Sequence, residues 1–198
     1  YRGKMTVKYK GDLEMYFVNG IVPGFCDENG APNRKFIIKM QMIKLQDIEE
    51  MITKMFDDEA PPDLYFHNSA LVKSISNHVE LLSTAEKVSD EEFINLKLAS
   101  VFLLTGYISD YEKPMEASLR LVEEIIPRYG FNHENIELTS EIIRNLFNDN
   151  QDTLSDKILH DARYDYLGRV DYQKLTEKLL RERKEYGKYP DRKSWLDI

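Results

Sequence analysis

Few side chains in this chain could bind a metal or move a proton. The 198 residues include four histidines, His67, His78, His133 and His160, and one cysteine, Cys26. Imidazole and carboxylate donors suit a divalent metal, which acidifies a bound water for attack on an ester. Each candidate also has a plainer reading. His67 falls on an apolar stripe with Leu64, Leu71, Ile75, Val79 and Leu82, and reads as a hydrogen-bonded structural histidine in preference to an acid catalyst. Asp161, beside His160, would be a costly buried charge without a cation nearby. His67 is its first expected partner, and an arginine such as Arg163 or Arg144 the second. Glu116 sits near a helix start, where the helix dipole accounts for it. His133 also sits at a helix start. Cys26 can form no internal disulfide and lacks the partners of a zinc site, which implies a reducing, cytoplasmic setting.

The elements that must carry these residues follow from patterning. The most apolar run is Ala99 to Tyr107, which ends at a Thr105–Gly106 step and has almost no polar face. As a helix it is a buried, central one, and it is too short to span a bilayer. Ser89 with Glu92 forms the capping box that opens this helix. Gln46 to Phe56 reads as a helix, and Pro61-Pro62-Asp63 breaks the chain and caps a long helix through Leu64 and Leu82. Pro114 suits the first turn of a helix over Met115 to Tyr129, ended by Gly130. Asn132 caps another through Leu146, Leu154 to Leu167 is closed by Gly168, and Asp171 caps Tyr172 to Tyr186, whose charged end reads as solvated. At the front, Met5 to Tyr9 and Leu13 to Val18 read as a β-hairpin about the Lys10-Gly11-Asp12 turn, followed by loop to residue 34 and an ambiguous apolar stretch, Lys35 to Lys44.

The charge is uneven. The first 45 residues hold eight basic and four acidic side chains, which leaves 19 against 31 and a net of −12 in the rest. That acidic bulk argues against nucleic-acid binding, and nothing in the chain reads as a signal peptide or membrane insertion. A start at Tyr1 inside strand-like sequence, and Pro190 to Ile198 reading as the beginning of something more, suggest a piece of a longer protein.

Two stretches resemble known families. Arg2-Gly3, Val7-Lys8 and Lys10 to Val18 resemble the end of a class III adenylate/guanylate cyclase domain, whose metal-binding aspartates and nucleotide-binding residues lie upstream of such a tail. On that resemblance this piece cannot cyclise a nucleotide. Leu64 to Gly168 resembles an HD-domain metal-dependent phosphohydrolase in four ordered blocks. Tyr65 to Leu71 matches Y-H-N-x-x-H, Ala99 to Tyr107 matches A-A-L-F-H-D-x-G, Met115 to Ser118 matches H-E-x-S, and His160 to Gly168 matches D-A-D-L-x-x-L-G.

In that family one histidine, a His-Asp pair and a later aspartate converge on the metal. Carried over, the first ligand falls on Leu71, the pair on Leu103 and Leu104, and the histidine of the third block on Met115. Asp161 survives as the fourth-block aspartate, with His67, Asn68, Glu116 and Ser118. His78 lies too far along its helix to replace Leu71. One ligand of four holds no metal, since leucine has no donor atom. The expectation is therefore a vestigial site of His67, Asn68, Leu71, Leu103, Leu104, Met115, Glu116 and Asp161, refilled with aliphatic side chains and without metal, cofactor or catalysis.

The fold class expected is mainly α: an HD-like helical bundle over 45–198, with a short N-terminal β-rich segment over 1–44. The expected role is a non-catalytic regulatory, sensing or dimerising module of a multidomain cyclase-type signalling protein. Its partners would be a second copy, neighbouring domains or a small-molecule ligand. Two rivals stand beside it: a working phosphohydrolase that uses a divalent metal, and a structural linker between cyclase domains. A pocket near Asp161, His67 and Glu116 would favour sensing, and a filled core would favour linking.

Overall fold

Every residue from Ile94 to Gly106 is buried, and that run sets the architecture. The computed structural model describes the backbone of residues 3–7, 11–15 and 20–188, and side chains over 20–188. These residues are mainly helical. They divide into two compact units, Tyr1–Met40 and Gln41–Ile198.

In the first unit, strands β1 (Gly3–Val7) and β2 (Gly11–Met15) pair antiparallel, with Gly3 opposite Met15 and Val7 opposite Gly11. Gly11 and Asp12 thus belong to β2, not to a turn, because the register places them opposite Val7 and Thr6. The connecting residues, and Tyr16 to Val18, lie outside the described residues. The loop that follows is organised by two short polar side chains. Asp27 Oδ1 accepts from the amides of Asn29 and Ala31, both at 2.9 Å. Asn33 Oδ1 accepts from the Phe36 amide at 3.1 Å, which caps α1 (Arg34–Glu59). The stretch Lys35 to Lys44 is therefore helix, and α1 starts well before Gln46. Asn33 supplies the start signal, and nothing in the apolar stretch breaks the helix.

In the second unit, α3 (Asp90–Phe102) is the hub, packed by α2 (Ser69–Ala85), α5 (Pro114–Ile125), α6 (His133–Phe147) and α7 (Leu154–Tyr164). Ser89 and Glu92 form the expected capping box, and Asn132 with Asn135 forms another at α6. Lys97, on α3, is buried among Glu49 (3.5 Å), Glu80 (3.4 Å) and the Ser76 carbonyl (3.3 Å). It ties the hub to α1 and α2.

Several boundaries differ from the sequence reading. α2 begins at Ser69, because Asn68 Oδ1 accepts from the Leu71 amide at 3.1 Å. Leu64 and His67 therefore lie in the segment ahead of the helix, and Asp63 is not its cap. α5 gives way at Ile126 to a 3-10 turn, since Pro127 has no N–H, and Gly130 ends it at φ +79°. α7 stops at Tyr164, and a 3-10 turn carries the chain to Gly168. Asp171 does not cap α8 (Tyr172–Glu185); its two oxygens face Arg169 instead, at 2.8 and 2.9 Å.

The central apolar run is also not one helix. α3 ends at Phe102, whose carbonyl accepts from Thr105 Oγ1 at 2.7 Å, and α4 (Gly106–Ser109) starts a new direction. Ser118 of α5 holds this corner: its Oγ accepts from the Gly106 amide at 2.8 Å and donates to the Leu103 carbonyl at 3.3 Å. A Cβ on Gly106 would lie 1.9 Å from the Pro114 carbonyl oxygen and 2.8 Å from the Ser118 nitrogen, both backbone atoms. Gly106→Ala must therefore push α5 away from the corner. We expect a loss of about 3 kcal/mol or more, read as a fall of roughly 6–12 °C in Tm. A Tm within about 2 °C of the parent would show that the corner yields freely.

Candidate functional site

Backbone amides, one carboxylate and one imidazole define the site. The segment ahead of α2 cannot be helical at Phe66 and His67, since both amides donate to Glu182 Oε2, at 2.7 and 3.0 Å. Glu182 lies on α8 and is fully buried. Its other oxygen, Oε1, accepts from the His67 imidazole at Nδ1 and from the Tyr111 hydroxyl at 3.1 Å. Four donors thus converge on one carboxylate.

The protonation of His67 follows from its partners. Arg163 Nη2 lies 3.0 Å from His67 Nε2. A guanidinium can only donate, so Nε2 carries the lone pair and Nδ1 carries the proton given toward Glu182. His67 is a neutral bridge between a carboxylate and a guanidinium. Burial, above all, lowers its pKa from 6.5 to about 4; the Glu182 hydrogen bond opposes this, and the Arg163 charge adds to it. Burial alone would raise Glu182, but the His67 hydrogen bond and the two backbone amides hold it below the usual carboxylate range. Burial and the Glu182 charge push the Tyr111 phenol up, so it stays a donor.

Aromatic rings pack around the bridge. The His67 ring stacks on Tyr107 with centroids 3.7 Å apart and planes 10° from parallel. Tyr111 stacks on Tyr186 at 3.8 Å, and Tyr186 donates to Asp63 at 2.8 Å. Arg163 lies 5.5 Å from the Phe66 ring centroid and 5.8 Å from that of Tyr164. Over this cluster opens a cavity of about 560 Å³, walled in part by His67, Leu103, Leu104, Tyr107, Arg163 and Arg183.

The eight residues expected at this site are only partly brought together. His67, Leu103 and Leu104 wall the cavity. Asn68 serves α2 as its cap, and Leu71 is buried in the core. Met115 is half-buried and Glu116 exposed, and neither walls the cavity. Asp161 is exposed, with its side chain 72% accessible, and its neighbour is His160 Nδ1 at 3.7 Å. It meets neither His67 nor Arg144, because the buried face of α7 is Asp156, Ile158, Leu159 and Ala162. The α7 residue that reaches His67 is Arg163. Leu103 and Leu104 are themselves buried, and the cavity lies beside them.

Sequence reasoning missed Glu182, since the end of α8 reads as solvated. Its spacing held the signal. Leu175, Leu179, Glu182 and Tyr186 recur at helical intervals, and all four are buried or half-buried. A carboxylate on an apolar stripe asks for a partner.

The donor set does not fit a divalent metal. Both imidazole nitrogens and both Glu182 oxygens are already engaged, Leu103 and Leu104 offer no donor, and Arg163 brings a cation against the one imidazole of the cluster. Among the described residues, no three His, Cys, Asp or Glu side chains gather as a metal-binding group. No family model, curated protein or solved structure matches the chain.

The His67 bridge makes stability depend on pH. The unfolded imidazole gains a proton below its ordinary 6.5, while the folded one gains it only near 4. Stability is therefore full above 6.5, falls as pH drops through that window, and levels off below about 4 for this group. Glu182 adds to the loss at still lower pH, where its carboxylate is protonated. From His67 alone, about 2 kcal/mol disappears between pH 7 and pH 5. Urea unfolding at pH 7, 6 and 5 checks this, with His67→Gln expected to show the smaller decline; equal slopes would contradict it. Glu182→Ala leaves three buried donors and the half-buried Tyr111 hydroxyl without their acceptor and should lower stability by about 4 kcal/mol. Glu182→Gln, which keeps one oxygen, should recover part of that.

Proposed function

We propose that this chain is a metal-free sensing module, a degenerate HD-type helical domain whose old metal cavity now receives a small molecule. The observation that carries this reading is the Arg163 guanidinium on His67 Nε2. An organic cation stands against the one imidazole of the first block, and two leucines stand where the histidine–aspartate pair would be. A guanidinium and two leucines offer a metal no ligands, which supports a non-catalytic reading. The open cavity supports sensing over a purely structural linker, which would gain from a filled core. The sequence from Tyr1 to Val18, which resembles the close of a nucleotidyl cyclase domain, supports a multidomain signalling parent. Output would then pass to neighbouring domains or to a second copy.

Metal content tests the reading. The purified chain, incubated with excess Mn, Fe, Co, Ni, Zn and Mg and then desalted, should carry well under one equivalent of any of them. Its Tm should not move with these ions. One equivalent of metal, or release of phosphate from a phosphoester in its presence, would overturn the proposal in favour of a hydrolase.

A further inference from the structure

The charges around the cavity do not balance. Glu182 is the buried carboxylate of the cluster, and its oxygens already accept four hydrogen bonds. Two guanidinium groups, Arg163 and Arg183, face the same cavity. Among the described residues neither forms an ion pair, and Arg163 Nη1 is packed out of reach of water with no acceptor. Lys188, also at the wall, is paired with Glu112 and so is neutralised. Two guanidinium charges against one carboxylate leave one positive charge over. A guanidinium charge held at a partly buried wall without a counter-ion is costly, and an anion entering the cavity would offset it.

The rest of the wall describes the remainder of that ligand. Tyr164 and Tyr166 offer ring faces and edges, and Leu103, Leu104 and Leu179 offer aliphatic surface. The volume of about 560 Å³ lies within the range of small-molecule sites. A guanidinium fork recognises a planar oxyanion through two parallel hydrogen bonds, whereas a water would satisfy it without using the aromatic wall.

From these observations we infer that the cavity binds a small aromatic carboxylate, its carboxylate held by Arg163 and Arg183 and its ring lying against the tyrosine and leucine wall. The inference rests on the metal-free reading and names the ligand class for it. Arg183 is the more informative of the two arginines. It is half-exposed and makes no side-chain bond within the described fold, so replacing it spares the His67 bridge. Arg163 serves both the bridge and the ligand.

Titration calorimetry with benzoate on the intact chain tests this, beside benzyl alcohol, which has the ring without the charge, and acetate, which has the charge without the ring. Benzoate should bind, and both comparison compounds should bind at least about tenfold more weakly. Arg183→Gln should weaken benzoate by about tenfold with an unchanged Tm, and the distant Arg128→Gln should leave it alone. Benzyl alcohol binding as well as benzoate, or Arg183→Gln binding like the parent, would overturn the inference. Each titration is run in EDTA and again with Mn²⁺. Benzoate binding only with Mn²⁺ would sink the metal-free reading itself. No benzoate binding in either, with the chain still free of metal, would sink the ligand assignment alone.

Discussion

A carboxylate fully removed from water is the constraint on which the site depends. Isolated in the interior, an ionised Glu182 would be costly enough to stay protonated or to keep α8 from docking. It does neither, because two amides, an imidazole N–H and a phenol O–H meet it. Those donors come from a segment more than a hundred residues earlier and from the loop after α4. One buried acceptor thus fixes three separate stretches of chain. It also explains the local backbone: amides spent on Glu182 are not available to a helix, and Asn68 then starts α2 afresh.

The next link is directional. With Nδ1 committed to the carboxylate, His67 has one lone pair left, and it points to Arg163. The row carboxylate, imidazole, guanidinium is polarised in one sense, and a proton added to His67 would have to break one end of it. That is why burial and Arg163 lower the imidazole pKa together. The row resembles a charge bridge more than an acid–base couple, since His67 and Glu182 are both held below their ordinary pKa values and all four of their side-chain polar atoms are engaged.

Much of the fold was legible because helix ends announce themselves locally. Ser89 with Glu92, Asn132 and Pro114 mark starts by hydrogen-bond chemistry that needs no tertiary context. The buried hub was legible for the same reason, since an apolar run with no polar face has nowhere else to go. The site was less so. Asp161 and Arg163 are two residues apart on α7, about 200° around the helix, so a block aligned on the aspartate looks away from the cavity that the arginine enters. Glu182 was hidden among the lysines, arginines and glutamates of α8, where composition signals solvent and only the stripe through Leu175, Leu179 and Tyr186 signals burial. Long-range partners such as Phe66 and Glu182 leave no mark in either local stretch.

On the proposed reading, replacing a metal by a guanidinium changes the chemistry while keeping the polarity of the cavity. A divalent ion attracts anions and also activates water; a guanidinium attracts anions without acidifying a bound water. The exchange also needs less of the surrounding chain. A metal requires several donors converging at fixed distances, whereas Arg163 requires one lone pair, from His67, and ring faces to lie on, from Phe66 and Tyr164. Positions released from ligation would then be free to become leucine, and Leu103 and Leu104 do line the cavity as apolar wall. On that reading binding without turnover requires no further change, because a guanidinium can hold a negatively charged molecule without acidifying a water.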